Sequence, residues 1–290
     1  MKVAGFTFVR NAIKYNYPVV ESILSVLPLC DEFIIAVGHS EDDTRNLVAS
    51  INDPKIRIID TVWDDTLRQG GHVLAKETDK AFDAVSSDTT WAFYIQADEV
   101  VHEKFLPAVR AAMERYQGES RIEGFAFNYL HFWGSYEYIG DSRQWYRREV
   151  RIIRNDKQIR SYQDAQGFRK NGNKLRVAPI DAFIYHYGWV KPPESQQAKQ
   201  QSFNRYWHSD NWIDKKIPKT AAYDYSGMNY LVRFTGSHPR VMKERIARQD
   251  WNFTPDPSRN RGSLKTVFLR FIEKTTGWRI GEYRNYKLTR

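Results

Sequence analysis

Cysteine is almost absent from this sequence: Cys30 is the only one among 290 residues. A single thiol excludes a disulfide framework and a metal site built from several thiolates. Long apolar runs are also missing, since none approaches the ~20 residues that a helix needs to span a bilayer. The first residues lead directly into a β-rich stretch and lack the pattern of a signal peptide. We therefore expect a protein of the reducing cytoplasm, or one that works at the inner face of the membrane.

Negative charge is scarce in the last part of the chain. Residues 211–290 contain 17 Lys and Arg against 7 Asp and Glu, whereas the preceding 210 residues contain 27 against 28. The net charge of +9 therefore belongs to the C-terminal part. A basic surface of this kind serves anionic lipid, nucleic acid or a polyanionic substrate, or it is simply solvated.

Four β-rich segments, each followed by a crossover, make up about the first hundred residues. The strands are predicted at Val3–Val9, Phe33–Val37, Ile56–Asp60 and within Trp91–Val101. This alternation predicts an α/β fold with a mostly parallel, Rossmann-like sheet sandwiched by helices. The fourth segment is apolar and aromatic until it reaches Asp98 and Glu99, as expected of a strand that is buried on both faces.

Polar residues follow three of the predicted strands, at Arg10-Asn11, in the turn 38–44 and at Asp98-Glu99. Because right-handed crossovers bring the carboxyl ends of parallel strands to one edge of a sheet, we expect these groups to converge. The carboxylate pair of Asp98 and Glu99 at such an edge is a candidate metal or substrate site; the alternative is that Asp98 caps the helix predicted near Glu103. Residues 8–12 contain no glycine, which disfavours the phosphate loop of a nucleotidyltransferase.

The order of these motifs resembles the GT-A fold glycosyltransferases of family 2 type. In that family the second strand usually ends in a pattern like Asp-Gly-Ser-x-Asp-x-Thr. This chain has Ser40, Asp42 and Thr44 at the matching places, and Gly38 stands where the first Asp is expected. The resemblance covers roughly residues 1–190.

A second motif of that family, the metal-binding Asp-x-Asp, corresponds to Gln96-Ala97-Asp98. The last Asp is kept and Gln96 replaces the first. The resemblance implies that Asp98 holds Mg²⁺ or Mn²⁺, and that His186 either completes the metal site or contacts the diphosphate; otherwise His186 is a core residue. The chemistry agrees, because a nucleotide-sugar donor loses its diphosphate in the reaction, and negative charge develops on that diphosphate. A cation held by carboxylate oxygen stabilises this charge. The residues predicted to bind the donor are Phe8, Arg10, Asn11, Ser40, Asp42, Gln96 and Ala97.

The catalytic base is predicted in the second half of this region. The stretch from Tyr162 to Phe168 resembles the place where the family carries its catalytic carboxylate, and Asp164 is the acid available there. A positioned carboxylate that takes the acceptor's proton typically contributes ~10²–10⁴-fold in rate. The alternative is that Asp164 only caps a turn.

The C-terminal region, residues 191–290, is predicted to be a mainly helical, basic extension packed on the domain of residues 1–190. Within it, Leu264–Lys274 has helical spacing of apolar residues with basic residues nearby. This helix is predicted either to dock on an anionic membrane surface or to pack its apolar face on the domain.

Together with these features, the resemblance implies a metal-dependent, hexosyltransferase-like enzyme that moves a sugar from a nucleotide-sugar donor to an acceptor hydroxyl, with inversion. The acceptor would be a glycan or a lipid-linked molecule, in the synthesis of cell-surface polysaccharide or another glycan. The alternatives are a non-catalytic carbohydrate- or nucleic-acid-binding protein and a nucleotidyltransferase. No recognised nucleic-acid-binding motif supports a nucleic-acid-binding protein.

Overall fold

Alternating strands and helices build the first part of the chain. A computed structural model describes residues 1–256 and 263–289. The first elements are β1 (Val3–Val9), α1 (Val19–Val26), β2 (Glu32–Gly38), α2 (Thr44–Ala49), β3 (Ile56–Thr61), α3 (His72–Asp83) and β4 (Trp91–Tyr94). The predicted strand at 91–101 is therefore two strands: β4 ends at Tyr94, and β5 (Glu99–Val101) begins after a turn.

The second part contains more strands than helices at first, and then mainly helices. Its elements are α4 (Leu106–Arg115), β6 (Gly124–Trp133), β7 (Tyr138–Gly140), β8 (Arg148–Arg154), β9 (Ile159–Tyr162), β10 (Gly167–Lys170), β11 (Asn173–Lys174), β12 (Arg176–Trp189), α5 (Pro193–Phe203), α6 (Asp210–Lys216), β13 (Leu231–Arg233), α7 (Lys243–Ala247), α8 (Leu264–Thr276) and β14 (Lys287–Leu288). No helix in the described residues is long and apolar enough to cross a membrane.

The main sheet has the strand order β13-β7-β6-β8-β4-β1-β2-β3, and β12 pairs with β6, β5 and β14. The N-terminal strands run parallel, from β4 through β1 and β2 to β3. The antiparallel members come from the second half, where β8 lies between β4 and β6. The predicted α/β fold, a mostly parallel sheet covered by helices, is confirmed.

The two faces of the sheet are covered by different helices. On one face Val3 and Val9 of β1 share a core with Ile23 of α1. On the other face Phe6 packs in a core with Phe82 of α3. Successive side chains of one strand thus enter different cores, as the period of two requires, and β1 is buried on both sides.

Two strands of the C-terminal region join the main sheet. β13 pairs with β7, and β14 pairs with the start of β12. The region after residue 190 is mainly helical, but these pairings tie it to the first part of the chain. The division at residue 190 stays a prediction.

Candidate active site

A turn between β4 and β5 presents Asp98. β5 pairs antiparallel with β12, so that Glu99 lies opposite His186. The backbone N–H of Tyr187 donates to the carbonyl of Asp98 at 2.8 Å, which fixes the turn against β12. As a result, Nε2 of His186 lies 3.8 Å from Oδ1 of Asp98. The two residues that the sequence proposes as metal ligands therefore lie together, and Asp98 does not cap a helix, because His102 caps the next one.

Lys199 of α5 also contacts Asp98, and sequence reasoning missed it. Its Nζ lies 3.3 Å from Oδ2 of Asp98 and 3.3 Å from the carbonyl oxygen of Gly188. Lys191 is fully buried nearby and donates to the carbonyl of Tyr15 at 2.9 Å. Nothing in the polar sequence of α5 distinguishes Lys199 from a solvated lysine, because its burial depends on tertiary contacts.

The surroundings of Asp98 keep it ionised. Burial alone would raise the pKa of this carboxyl, but the neighbouring ammonium of Lys199, together with His186 and Lys191, outweighs burial and holds the pKa well below its ordinary value. Burial lowers the pKa of Lys191 well below its usual range, and the neighbouring charge of Lys199 lowers it further. The site thus combines one buried carboxylate with closely spaced basic groups.

A chain of hydrogen bonds sets the tautomer of His186. Nε2 of His131 lies 2.9 Å from the carbonyl oxygen of Tyr146, which can only accept, so this nitrogen carries a proton. Burial lowers the pKa of both histidines, and each is therefore neutral near pH 7. Nδ1 of His131 must then accept from Nδ1–H of His186 at 3.0 Å. The free lone pair of His186 is on Nε2, the atom that faces Asp98.

This arrangement fits a divalent cation with two protein ligands. A carboxylate oxygen and an imidazole lone pair face each other, and a cation placed between two acceptors satisfies both. Gly188 leaves the space open: a Cβ at this position would lie 2.6 Å from Nε2 of His186 and 2.8 Å from Oδ2 of Asp98. The ammonium of Lys199 already supplies one positive charge there. Within residues 1–256 and 263–289, no group of three or more Cys, His, Asp and Glu side chains could hold a metal ion.

One cavity at this edge of the sheet collects most of the predicted site residues. Those that line it are Phe8, Arg10, Gln96, Ala97, Asp98 and Asp164. Lys199 lines it as well, and so do two aromatic residues that sequence reasoning missed, Trp63 and Tyr206. His186 is not among the lining residues, although its Nε2 lies 3.8 Å from Oδ1 of Asp98. The edge predicted from the alternation of strands therefore does carry a common cavity.

Aromatic side chains form one wall of the cavity. The ring centroid of Trp63 lies 5.7 Å from that of Phe8 and 5.7 Å from that of Tyr206. The guanidinium of Arg10 lies 5.5 Å from the centroid of Trp63. An aromatic wall next to a cation suits a ligand that has a planar ring and an anionic group.

Trp63 explains the glycine that departs from the family pattern. A Cβ at Gly38 would lie 2.3 Å from Nε1 of Trp63, so the indole occupies the space of a side chain at this position. An aspartate at position 38 would collide with the ring. Nε1 of Trp63 is buried and has no hydrogen-bond partner in the described part of the chain.

The turn 38–44 uses its polar groups to hold the neighbouring loop. Ser40 accepts from the backbone N–H of Asn11 at 3.0 Å and donates to the carbonyl of Gly38 at 2.8 Å. Asp42 accepts from the backbone N–H of Lys14 at 2.7 Å, and Asn11 accepts from that of Glu41 at 2.7 Å. Ser40 and Asp42 line a separate cleft. The structure therefore does not bring these two residues into the cavity, because their polar atoms tie the two loops together.

Asp164 stands on a loop with an unusual backbone. Gln163 and Ala165 on either side have φ values of 52° and 62°, in the left-handed region that non-glycine residues rarely adopt. Burial raises the pKa of Asp164, and hydrogen bonds from backbone N–H groups oppose that rise. A strained loop that presents a carboxylate to a cavity is typical of functional sites. The observation fits the predicted base, although the role itself stays a prediction.

Gln96 and Arg151 hold this loop from two sides. Nε2 of Gln96 donates to the carbonyl of Ala165 at 3.3 Å, a bond that an aspartate in its place could not make. Arg151 donates to the carbonyl of Gln166 at 3.0 Å. The guanidinium of Arg151 is fully buried and pairs with both oxygens of Glu99, at 2.7 and 2.8 Å. Glu99, the second acid after β4, thus belongs to the scaffold of the site.

Comparison with known proteins finds similarity at the level of structure. No family model matches the chain, and no curated protein matches its sequence. S. aureus TarS matches with a TM-score of 0.38 and 14% identity over 69% of this chain and 38% of that one. A TarS fragment in complex with UDP matches with a TM-score of 0.38 and 14% identity, over 74% of this chain and 69% of that one.

Another match is glucosyl-3-phosphoglycerate synthase from Mycobacterium tuberculosis, in complex with Mn²⁺, UDP and phosphoglyceric acid. Its TM-score is 0.31, with 16% identity over 45% of this chain and 43% of that one. This chain therefore spans less than half of the synthase and of full-length TarS.

Proposed function

We propose that this protein is a glycosyltransferase that uses a nucleotide-sugar donor. The observation that carries the proposal is one cavity at the carboxyl edge of the parallel strands. It is lined by Asp98 and Asp164, two carboxylates in different environments, and by the cations Arg10 and Lys199. One carboxylate is held ionised by positive neighbours, whereas the other has a pKa raised by burial. Such a division suits one acid that organises charge and another that moves a proton.

The donor nucleotide would lie along the aromatic wall. Phe8, Trp63 and Tyr206 offer the planar surface that a base or sugar ring packs against. Arg10 and Lys199 would face the diphosphate, and Gln96 and Ala97 would lie beside the ribose. In this order the scissile bond would lie near Asp98. The nucleobase of the donor would thus be bound mainly by packing against the aromatic rings, since Gly38 offers no carboxylate to bind it.

Asp98 and His186 would hold Mg²⁺ or Mn²⁺. When bound, the ion stabilises the negative charge that develops on the leaving diphosphate. The two residues are pre-arranged for this role by the hydrogen bond from His186 to His131. Lys199 would turn from Asp98 towards the diphosphate, which keeps its charge paired.

Asp164 would take the proton from the acceptor hydroxyl as that oxygen attacks the anomeric carbon, with inversion. Its loop is anchored by Gln96 and Arg151, so the carboxylate keeps a fixed position in the cavity. The acceptor would be a glycan or a lipid-linked molecule, in polysaccharide or glycan synthesis at the cytoplasmic side. The groups that bind the nucleotide-sugar donor and the catalytic groups would come from residues 1–190, together with α5 of the following region.

A screen of nucleotide sugars tests this function. The wild-type protein is incubated with each of UDP-, GDP- and ADP-linked hexoses, with and without Mn²⁺, and nucleotide release is measured. We expect release from one class of donor, dependent on Mn²⁺, and loss of release in Asp164→Asn with an acceptor present. Absence of release from every donor, or equal release by Asp98→Asn, would contradict the proposal.

A further inference from the structure

The last long helix, α8, contacts the rest of the protein through its polar side. Arg270 donates to Asp141 at 2.7 Å, and Glu273 accepts from Arg143 at 2.7 Å. The segment that follows is held in the same way, since Arg147 pairs with Glu282 at 2.8 Å and Arg279 donates to the carbonyl of Trp145 at 2.7 Å. This orientation is the reverse of a surface helix that buries its apolar stripe.

Four apolar residues of α8 face solvent, whereas Leu269 and Ile272 are half-buried. Leu264, Val267, Phe268 and Phe271 occupy positions i, i+3, i+4 and i+7, which share one face of a helix. They are 91%, 53%, 61% and 64% exposed. The helix does pack on the domain, but through the side that carries its ion pairs. The prediction that the apolar face packs on the domain is wrong for these four residues, because ion pairs with the loop before β8 turn the opposite side of the helix towards the protein.

Basic and aromatic residues surround this apolar face. Lys265 and Lys274 lie on opposite edges of it by the helical period, and both are exposed. Trp278, just beyond the helix, is 63% exposed. Residues 263–289 contain six Lys and Arg against two Glu. We call the four apolar residues of α8 with Lys265, Lys274 and Trp278 the α8 face.

We propose that the α8 face binds the surface of an anionic lipid bilayer. Its apolar side chains would enter the boundary between headgroups and acyl chains, while the flanking lysines reach the anionic headgroups. Trp278 has the amphipathic ring that favours this depth. A second copy of the chain is a poorer partner, because two such faces would bring lysines of like charge together, whereas an anionic bilayer neutralises them.

The proposal concerns a surface that does not line the cavity at Asp98, and it does not depend on the proposed function. If both hold, the enzyme would work where a lipid-linked acceptor lies. A variant inactivated in the cavity, Asp164→Asn, should bind vesicles like the wild type. The two proposals can therefore fail separately.

Vesicle flotation tests the α8 face. The full chain is mixed with vesicles of phosphatidylcholine alone or with phosphatidylglycerol, at low and high salt. We expect binding to the anionic vesicles that weakens with salt. Phe268→Glu/Phe271→Glu should reduce this binding by about tenfold or more, and Lys265→Gln by about fivefold. Val232→Glu is the matched control, since Val232 is an exposed apolar residue on β13, and it should bind like the wild type.

Circular dichroism and sedimentation accompany the flotation, so that a misfolded variant is recognised. Binding that is equal for neutral and anionic vesicles would overturn the proposal, and so would the absence of binding. A wild-type dimer that the double variant converts to monomer, without vesicle binding, would show that a second copy covers the face instead.

Discussion

The pair of Asp98 and Lys199 provides a quantitative test of the site. The side chains are 14% and 11% exposed, so each ion has lost most of its water. Asp98→Asn preserves the volume and removes the charge, which leaves the ammonium of Lys199 buried beside the carbonyl of Gly188. Breaking a buried pair in this way typically lowers the free energy of unfolding by about 3–5 kcal/mol.

Adding Lys199→Met to Asp98→Asn distinguishes the loss of the ion pair from a distortion of the loop that carries residue 98. In Asp98→Asn/Lys199→Met neither charge remains, so we expect the double variant to recover more than half of the stability lost by Asp98→Asn. Urea unfolding of the wild type, both single variants and the double variant closes the cycle. The same loss in Asp98→Asn and in the double variant would refute the idea that these charges stabilise each other.

The pH dependence of stability follows from the depressed pKa of Asp98. A carboxyl whose pKa is lower in the folded than in the unfolded state stabilises the fold above its unfolded value, about 3.9. This stabilisation is lost as the pH falls through the folded pKa. The wild type and Asp98→Asn should therefore differ near pH 7 and converge in strong acid. A difference that persists unchanged in acid would contradict the electrostatic explanation.

Three further predictions concern the cavity. Gly188→Ala fills the space between His186 and Asp98 and should abolish Mn²⁺ binding measured by electron paramagnetic resonance, whereas Gly118→Ala, where a Cβ meets no neighbour within 4 Å, should not. Trp63→Ala should weaken donor binding about tenfold by calorimetry, because it removes the aromatic wall, and Trp63→Phe should weaken it less; equal losses would argue against packing on the base. The acid limb of the pH–rate profile should lie above that of an ordinary aspartate, since burial raises the pKa of Asp164 and the base must be ionised; a limb at the ordinary value would point to another base.

The sequence predicted the parallel half of the fold closely. Val3–Val9 is a strand with the predicted bounds, and the second strand extends the prediction by one residue at each end. These strands are buried on both faces, so their apolar runs are nearly continuous and their polar ends are sharp. The same logic put Asp98 at the carboxyl edge of the sheet, and the resemblance to the family singled out His186, which lies beside it. The local sequence pattern is sufficient to predict a strand where that pattern reflects burial on the two faces of a sheet.

The remaining features depend on contacts between distant parts of the chain. Lys199 enters the site only because α5 packs beside the turn that carries Asp98. Trp63 stands in a polar loop, and its role arises from the room that Gly38 leaves. The periodicity of α8 shows that one side is apolar, but Arg143 and its neighbours, 130 residues away, decide which side faces the protein. Such pairings leave no trace in local sequence.

Binding of nucleoside diphosphates tests the central claim most directly. Calorimetric titration of UDP, GDP and ADP into the wild type and Asp98→Asn, with and without Mn²⁺, needs neither the acceptor nor the donor sugar. We predict that the wild type binds at least one of them more tightly when Mn²⁺ is present, and that Asp98→Asn loses this gain. The absence of binding by all three, or the same Mn²⁺ effect in both proteins, would contradict a nucleotide-sugar site at Asp98.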